Sequence, residues 1–190
     1  MNTIIIALDY IVDIMHPDGK IARSARHAFE RNVVEKANSA LEIARSKRWP
    51  VVLVKVGFSP SYIEQPKHSP MFGRVHEFGA LNLDGPGTAF HPDLHVEPSD
   101  LVLIKPRVSA FYGTVLEAVL RSKAIDRIVL AGVSSTWAVQ STARDAHDRD
   151  YSVVVVEDAC AANSEEEHQE SMKVLATIAE IVSVADLKDL

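Results

Sequence analysis

"AGVSSTWAVQSTARDAHDRDY", residues 131–151, has the form of a strand end, a tight turn and the opening turns of a helix. An aliphatic run precedes it, "RIVLAG" (Arg127–Gly132), and another follows it, "SVVVVE" (Ser152–Glu157). Strand, helix and strand in succession make a βαβ unit, and Val/Ile/Leu runs without alternation mark parallel strands buried on both faces. Similar runs lie further out at Thr3–Leu8 ("TIIIAL"), Val51–Val56 ("VVLVKV") and Leu101–Ile104 ("LVLI"). The amphipathic stretches between them predict helices over residues 22–48, 111–124, 136–149 and 164–180, and a short edge strand is expected around Glu180–Ser183. This alternation predicts an α/β fold, a doubly wound, mostly parallel sheet flanked by helices, in one domain spanning residues 1–190. From Gly57 to Asp100 the rhythm fails, and Pro, Gly and His accumulate without periodicity. That segment is either a surface excursion or a lid or subunit contact that shapes a pocket.

Composition narrows the function classes. The chain has 190 residues, 47% hydrophobic and 24% charged, with a mean hydropathy of +0.02, which fits a globular rather than a disordered protein. No apolar run approaches the ~18 residues of a membrane-spanning helix, and the N-terminus lacks the pattern of a secretory signal, so a cytoplasmic location is expected. A net charge of −6 without a Lys/Arg cluster argues against nucleic acid as a partner. A single cysteine, Cys160, precludes an internal disulfide and a Cys-based zinc site.

In open parallel sheets, ligands bind beyond the carboxyl ends of the strands. Three predicted strands end on polar residues: the first on Asp9, the third on Lys105-Pro106, and the fourth on Gly132-Val133-Ser134-Ser135 at a helix start. By spacing alone Asp9 and Lys105 are equally a structural ion pair or the reacting groups of a site. A neighbouring helix start favours the second reading, because its free N–H groups can hold an anion.

Two blocks, "ALDYIVDIMHPDGK" and the stretch from "KPRVSAFYGTVLEAVL" to "VVVVEDACAA", resemble the isochorismatase-like (cysteine hydrolase) superfamily over nearly the whole chain. The resemblance implies a six-stranded sheet and a site of Asp, Lys and Cys. Asp9 would transfer the proton and Lys105 would lower the thiol pKa. The nucleophile would sit at the helix start, beside a cis peptide at Val133–Ser134 whose turn forms an oxyanion hole. The chain departs from this pattern where it matters most. The family's Gly-Val-x-Thr-x-x-Cys-Val becomes Gly132-Val133-Ser134-Ser135-Thr136-Trp137-Ala138-Val139, so a methyl group occupies the nucleophile's place. A methyl cannot form an acyl-enzyme. Ile11 stands where the family carries an amide, and Cys160 falls in a strand-end block that reads as a buried structural thiol. Ala138 is either a natural replacement, as in a subgroup this chain resembles through "VGFS", "AFYGT" and "VSVADL", or an engineered change of a cysteine amidohydrolase.

Other residues carry two readings each. Arg107 either lines the mouth and binds a carboxylate or makes a surface salt bridge. Tyr112 and Trp137 either pack their helices or wall in a planar substrate. Arg144 and Asp145 read as a helix-face pair, and His16-Pro17-Asp18-Gly19 as a turn. The eight histidines form no tight ligand set, and Gly57-Phe58-Ser59-Pro60 replaces the metal block of related nicotinamidases, so neither a metal nor another cofactor is expected.

The functional expectation is a hydrolase acting on a small, anionic or amide-like metabolite through Asp9 and Lys105, without a covalent cysteine. The resemblance supplies a precedent in isochorismatases, where an aspartate protonates a vinyl ether and water attacks. The alternative is a catalytically silent member that binds a metabolite or a partner subunit. A homo-oligomer, dimer or larger, is expected, with part of the Gly57–Asp100 segment on a neighbouring subunit near the pocket.

Overall fold

In the computed structural model, which describes residues 1–190, six strands form one sheet: β1 (Thr3–Leu8), β2 (Val51–Val56), β3 (Leu101–Lys105), β4 (Arg127–Val133), β5 (Ser152–Ala161) and β6 (Glu180–Val182). Their spatial order is β3-β2-β1-β4-β5-β6, and every neighbouring pair is parallel. The sheet is therefore wholly parallel. The order reverses direction at β1/β4, the kind of switch point where open sheets present a crevice.

Helices cover both faces, which explains the unbroken aliphatic runs. Ile5, Ala7, Leu53, Val129 and Ala131 pack under α3 (Val33–Ser46), whose Ala37, Ala40 and Ala44 allow close approach to the sheet. Ile4, Ile6, Leu8, Val54 and Leu130 point the other way, towards α4 (Leu116–Ser122), α5 (Gln140–His147) and α6 (Glu165–Leu175). β1, β2, β4 and the first half of β5 bury nearly all of both side-chain sets, whereas the edge strand β3 leaves Leu101, Val102 and Ile104 partly exposed. Ser164 caps α6 by accepting the Glu167 N–H, and Glu165, Glu166 and Glu167 fill its first turn, where carboxylates complement the helix dipole.

Three expectations change. The single helix expected over residues 22–48 is two, α2 (Ala25–Glu30) and α3, because Asn32 between them adopts a left-handed backbone (φ 52°). Asparagine tolerates that conformation better than most residues, and it ends one helix before the next begins. The second expected helix forms only from Leu116, as α4, and the segment before it runs as turns. The short α1 (Val12–Met15) was not anticipated at all.

Residues 57–100 contain two short 3-10 turns and a small core of their own: Phe58, Tyr62, Phe72, Val75, Ala80 and Leu81 pack with Ile11 and Val56. The segment thus carries an apolar cluster within its own chain. Buried Asp13 fastens it from below, its carboxylate accepting the N–H groups of Leu81 (2.7 Å) and Lys20 (3.1 Å). No helix is long and apolar enough to cross a membrane.

β1 and β4 approach closely because residue 132 is glycine. A Cβ on Gly132 would stand 2.5 Å from the Leu8 carbonyl oxygen, a backbone atom that cannot swing aside. Gly132→Ala is therefore expected to destabilise the fold by about 1–3 kcal/mol, the range for an overpacked core. Urea unfolding checks this: a midpoint within error of the parent's would show that the strands part freely at this point.

Candidate functional site

The strand register places the polar ends side by side. Leu8 pairs with Val54 on one side and Gly132 on the other, and Val56 pairs with Lys105. Asp9 leaves the sheet with φ 56°, which turns its side chain across the ends of β2 and β3. Its Oδ1 accepts the Val56 N–H at 2.7 Å, and its Oδ2 meets Lys105 Nζ at 2.7 Å. Lys105 also donates to the Val108 carbonyl, which holds the ammonium from its far side. The two side chains are 3% and 1% exposed, so the pair is nearly dry. Burial raises the Asp9 carboxyl above its ordinary value; attraction and hydrogen bonding from Lys105, and the Val56 N–H, offset part of that rise. The result is a carboxylate that accepts a proton more readily than a solvated aspartate does.

Beside this pair the chain turns from β4 into a helix. The Val133–Ser134 peptide is cis, and residues Ser135–Val139 form a π-helical turn that runs directly into α5. The Ser134 carbonyl accepts the N–H groups of Trp137 and Val139 (3.3 and 3.2 Å), while the Ser134 N–H has no acceptor within the chain. Ala138 lies on the inner side of the turn, 3% exposed, in the same apolar cluster as Leu8.

Behind the turn runs a polar network that the sequence reading did not identify. Ser135 Oγ lies 2.7 Å from His168 Nδ1, and His168 Nε2 lies 2.8 Å from Glu157 Oε1. Burial lowers the His168 pKa, so the ring is neutral. A carboxylate only accepts, so the proton sits on Nε2 and the Ser135 hydroxyl donates to Nδ1. Arg31 bonds Glu157 at 2.6 Å and Glu165 at 2.9 Å, and Glu165 also bonds His27 at 2.9 Å. Burial would raise the Glu157 carboxyl, yet hydrogen bonds from His168 and Arg31 hold it below its ordinary range. His27, Gln169 and Arg31 hold Glu165 at about 2. A signal was present in the sequence: His168 shares the inward stripe of α6 with Ser171, Met172 and Leu175, and a histidine on such a stripe needs partners.

The remaining sequence candidates divide. Arg107 donates from Nη1 to the carbonyls of Glu64 (3.1 Å) and Pro106 (2.6 Å), and its guanidinium lies 5.4 Å from the centre of the Tyr112 ring. Tyr112 and Trp137 are each more than half exposed, whereas Phe111 is buried and stacks on Tyr151. The supposed Arg144–Asp145 pair does not form: Arg144 bonds Gln140 and Asp145 bonds Arg149, each four residues away along the helix, as the 3.6-residue period requires. His16 is in a turn, its Nδ1 accepting the Asp18 N–H, and His91 repeats the arrangement with Asp93. No cluster of three or more His, Cys, Asp or Glu side chains has a metal-holding arrangement. Cys160 is fully buried, its thiol bonded to the Val156 carbonyl, and burial pushes it up to about 12.

Known proteins resemble this chain in sequence and in fold. The isochorismatase domain model matches residues 3–186. The isochorismatase family protein YecD of Escherichia coli O157:H7 is 38% identical over 160 residues, covering 82% of this chain and 81% of YecD. A ureidoacrylate amidohydrolase, RutB of Methylorubrum extorquens, is 34% identical over 141 residues, 67% of this chain but 56% of RutB. Among solved structures, N-carbamoylsarcosine amidase from Thermoplasma acidophilum superposes with a TM-score of 0.77 at 27% identity, covering 97% of each chain.

Two outcomes are expected from the buried groups. The unfolded chain takes up protons on His168, Glu157 and Glu165 at higher pH than the folded chain does, so stability falls with acid. The fall begins below the ordinary histidine value of 6.5, where half-buried His91 also contributes, and continues below 4.5 towards the value of about 2 held by Glu165. Melting temperature against pH checks this; His168→Gln should flatten the limb between pH 7 and 5, and an unchanged limb would remove His168 from the account. Cys160 should resist thiol reagents in the native protein and react only after unfolding, a contrast read by mass spectrometry.

Proposed function

The chain belongs to the isochorismatase family, and on that premise we propose a hydrolase acting on a small anionic or amide-like metabolite, with Asp9 and Lys105 as reacting groups and no covalent cysteine. The observation that carries the proposal is the dry Asp9–Lys105 pair at 2.7 Å, at the strand ends beside the turn holding Ala138. An ion pair kept only for stability is replaceable by packed apolar residues, often without loss. One retained at a sheet's ligand-binding end has the raised carboxyl that proton transfer uses.

With an amide or ureide, water attacks the carbonyl carbon while Asp9 takes its proton. The Ser134 N–H and Lys105 Nζ are the positive groups available to the developing oxyanion. Asp9 then returns the proton to the leaving nitrogen as the C–N bond breaks. In this reading the water takes the part of the thiol that the resemblance puts at Ala138. With a vinyl ether, Asp9 would protonate carbon, water would add to the cationic centre and give its proton back to Asp9, and the resulting hemiketal would break its C–O bond to release the alcohol and a carbonyl compound. The names of RutB and N-carbamoylsarcosine amidase favour the ureide and amide class. Arg107 and Tyr112, whose guanidinium and ring centre lie 5.4 Å apart, are the groups proposed to meet a carboxylate or planar part of the substrate. Self-association, with part of residues 57–100 near the mouth, completes the proposal.

A second reading, a silent member that binds without turnover, is favoured by one observation: Ile11, where the resemblance places an amide, is fully buried in apolar contact. Screening amides, ureides, nitriles and vinyl ethers separates the two. Turnover by the parent chain, reduced about 10²–10⁴-fold in Asp9→Asn, is expected from general acid–base catalysis. Activity appearing only in Ala138→Cys would overturn the water mechanism in favour of a lost cysteine enzyme.

Stability tests the pair independently. Lys105→Met alone strands a buried carboxylate and should cost about 3–5 kcal/mol, while Asp9→Asn with Lys105→Met should recover part of it. Equal losses in the single and double variants, measured by urea unfolding, would show that the two groups are not coupled.

A further inference from the structure

The residue that follows the Val133–Ser134 peptide is gripped twice by α6. Ser135 Oγ donates to His168 Nδ1 at 2.7 Å, and the Ser135 carbonyl accepts the Ser171 hydroxyl at 2.9 Å. His168 and Ser171 stand three residues apart, neighbours on the inward face of that helix. Gln140 joins from α5: its backbone N–H also reaches the Ser135 carbonyl, and its side chain donates to Ser171 Oγ at 3.1 Å. Ser135 and His168 are fully buried and Ser171 nearly so, so bulk water does not compete for these bonds. β5 is deformed to complete the grip. While β4 advances from Leu130 to Gly132, β5 advances from Val155 to Cys160, and the extra residues form a bulge. Bulges beside functional sites re-aim side chains. This one sends Glu157 to His168 Nε2 at 2.8 Å, while Asp158 accepts the Val184 N–H at 2.8 Å and meets Lys36 at 3.5 Å. Met172 and Leu175 already pack α6 onto the sheet, so adhesion alone does not call for a buried histidine backed by a carboxylate.

We propose that His168 is a positioning residue for the hydrolytic site: through Ser135 it fixes the turn that carries the Ser134 N–H and Ala138, without touching substrate itself. The inference rests on the hydrolase reading above, in which the Ser134 N–H meets the developing oxyanion and water attacks beside Ala138. Ser134 is the covalent neighbour of Ser135, so a displacement of Ser135 carries that N–H with it, and an oxyanion donor acts only where the charge develops. Asp9 and Lys105 are held independently, by Val56, Val108 and each other, and keep their places when the grip of α6 is lost. The defect therefore falls on kcat rather than on KM. Protonation acts in the same direction. The neutral ring accepts from Ser135 through Nδ1 and donates to Glu157 through Nε2, whereas a second proton would sit on Nδ1 and face the Ser135 hydroxyl, which has no other partner in the chain. Around the ring stand Glu157 on β5, Arg31 after α2, His27 on α2 with its ring centre 5.9 Å away, and Glu165 on α6 itself. Burial and Arg31 disfavour the charged ring against the pull of Glu157 and Glu165, so release begins only below the ordinary histidine value of 6.5.

Steady-state kinetics of the full chain test this, on whichever amide, ureide, nitrile or vinyl ether the parent turns over, with melting temperature recorded alongside. His168→Leu should lower kcat about 10–100-fold with KM changed by less than about threefold, the effect of moving a donor out of place. Ser135→Ala breaks the same bond from the other side and strands no charge; it should give a kcat loss of the same size, and it carries the test if His168→Leu does not fold. The two changes together should be no worse than either alone, because they remove one link. His168→Gln presents an oxygen to Ser135 and an N–H to Glu157, so it should restore most of kcat and take the histidine step out of the acid limb of kcat, leaving the step of Asp9. Parent turnover with kcat unchanged in the single variants, a defect confined to KM or to melting temperature, or an acid limb unaltered in His168→Gln would overturn the positioning role and leave the hydrolase reading standing. No turnover by the parent chain on any of the substrates would overturn the hydrolase reading and this role with it.

Discussion

The Asp9 carboxylate is shut away from water, and the end of the sheet is arranged around that fact. Moving a carboxylate into a nearly dry site costs several kcal/mol unless other groups replace its hydration. Here one oxygen is held by a backbone N–H of β2 and the other by a lysine at the end of β3. Three strands are thereby tied at their carboxyl ends by side-chain chemistry in addition to the ladder. The left-handed backbone at Asp9 and the close approach permitted by Gly132 keep β1 in reach of its neighbours and of the turn after β4. An arrangement that holds a charge this tightly also holds its position, and positional accuracy is what a proton-transferring group needs.

The same end of the molecule is braced from outside by the chain from Ser135 through His168 and Glu157 to Arg31. It couples the turn after β4 to β5, to α6 and to the residue just after α2. The network is satisfied at nearly every atom, and low dielectric makes such bonds strong when complete and costly when broken. The break at Asn32 falls next to Arg31, which reaches the carbonyls of Cys160 and Glu157 as well as two carboxylates. A single continuous helix over these residues would have carried Arg31 elsewhere.

Sequence patterning made the sheet legible because parallel strands packed between helices concentrate aliphatic residues, with Lys55, Glu157 and Asp158 falling only in the later part of their strands; every expected strand appears within a few residues of its place. Asp9 and Lys105 were legible for the same reason, since polarity at the end of such a run stands out. Arg31, Glu157 and His168 escaped notice because each sits among other charged residues, and only the tertiary fold shows which point inward. The helix boundaries failed where one residue decides the outcome, as at Asn32, since periodicity averages over several turns. In residues 57–100 the apolar positions follow neither period 2 nor 3.6, so nothing in their spacing announced that Phe58, Tyr62, Phe72 and Leu81 would gather.

The pairing of β1 with β4 has a consequence for how the protein is made. Its contacts join the two halves of the chain; the Asn2 N–H bonds the Asp126 carboxylate across 124 residues. During synthesis "TIIIAL" emerges first and can meet β2, yet its other edge has no partner until residues 127–133 have left the ribosome. Until then the central strand is at best a half-paired aliphatic ribbon, the kind of species that collapses non-natively or recruits a chaperone. The N-terminal strand is therefore the first part of the sheet to be synthesised, and its place at the centre becomes complete only late.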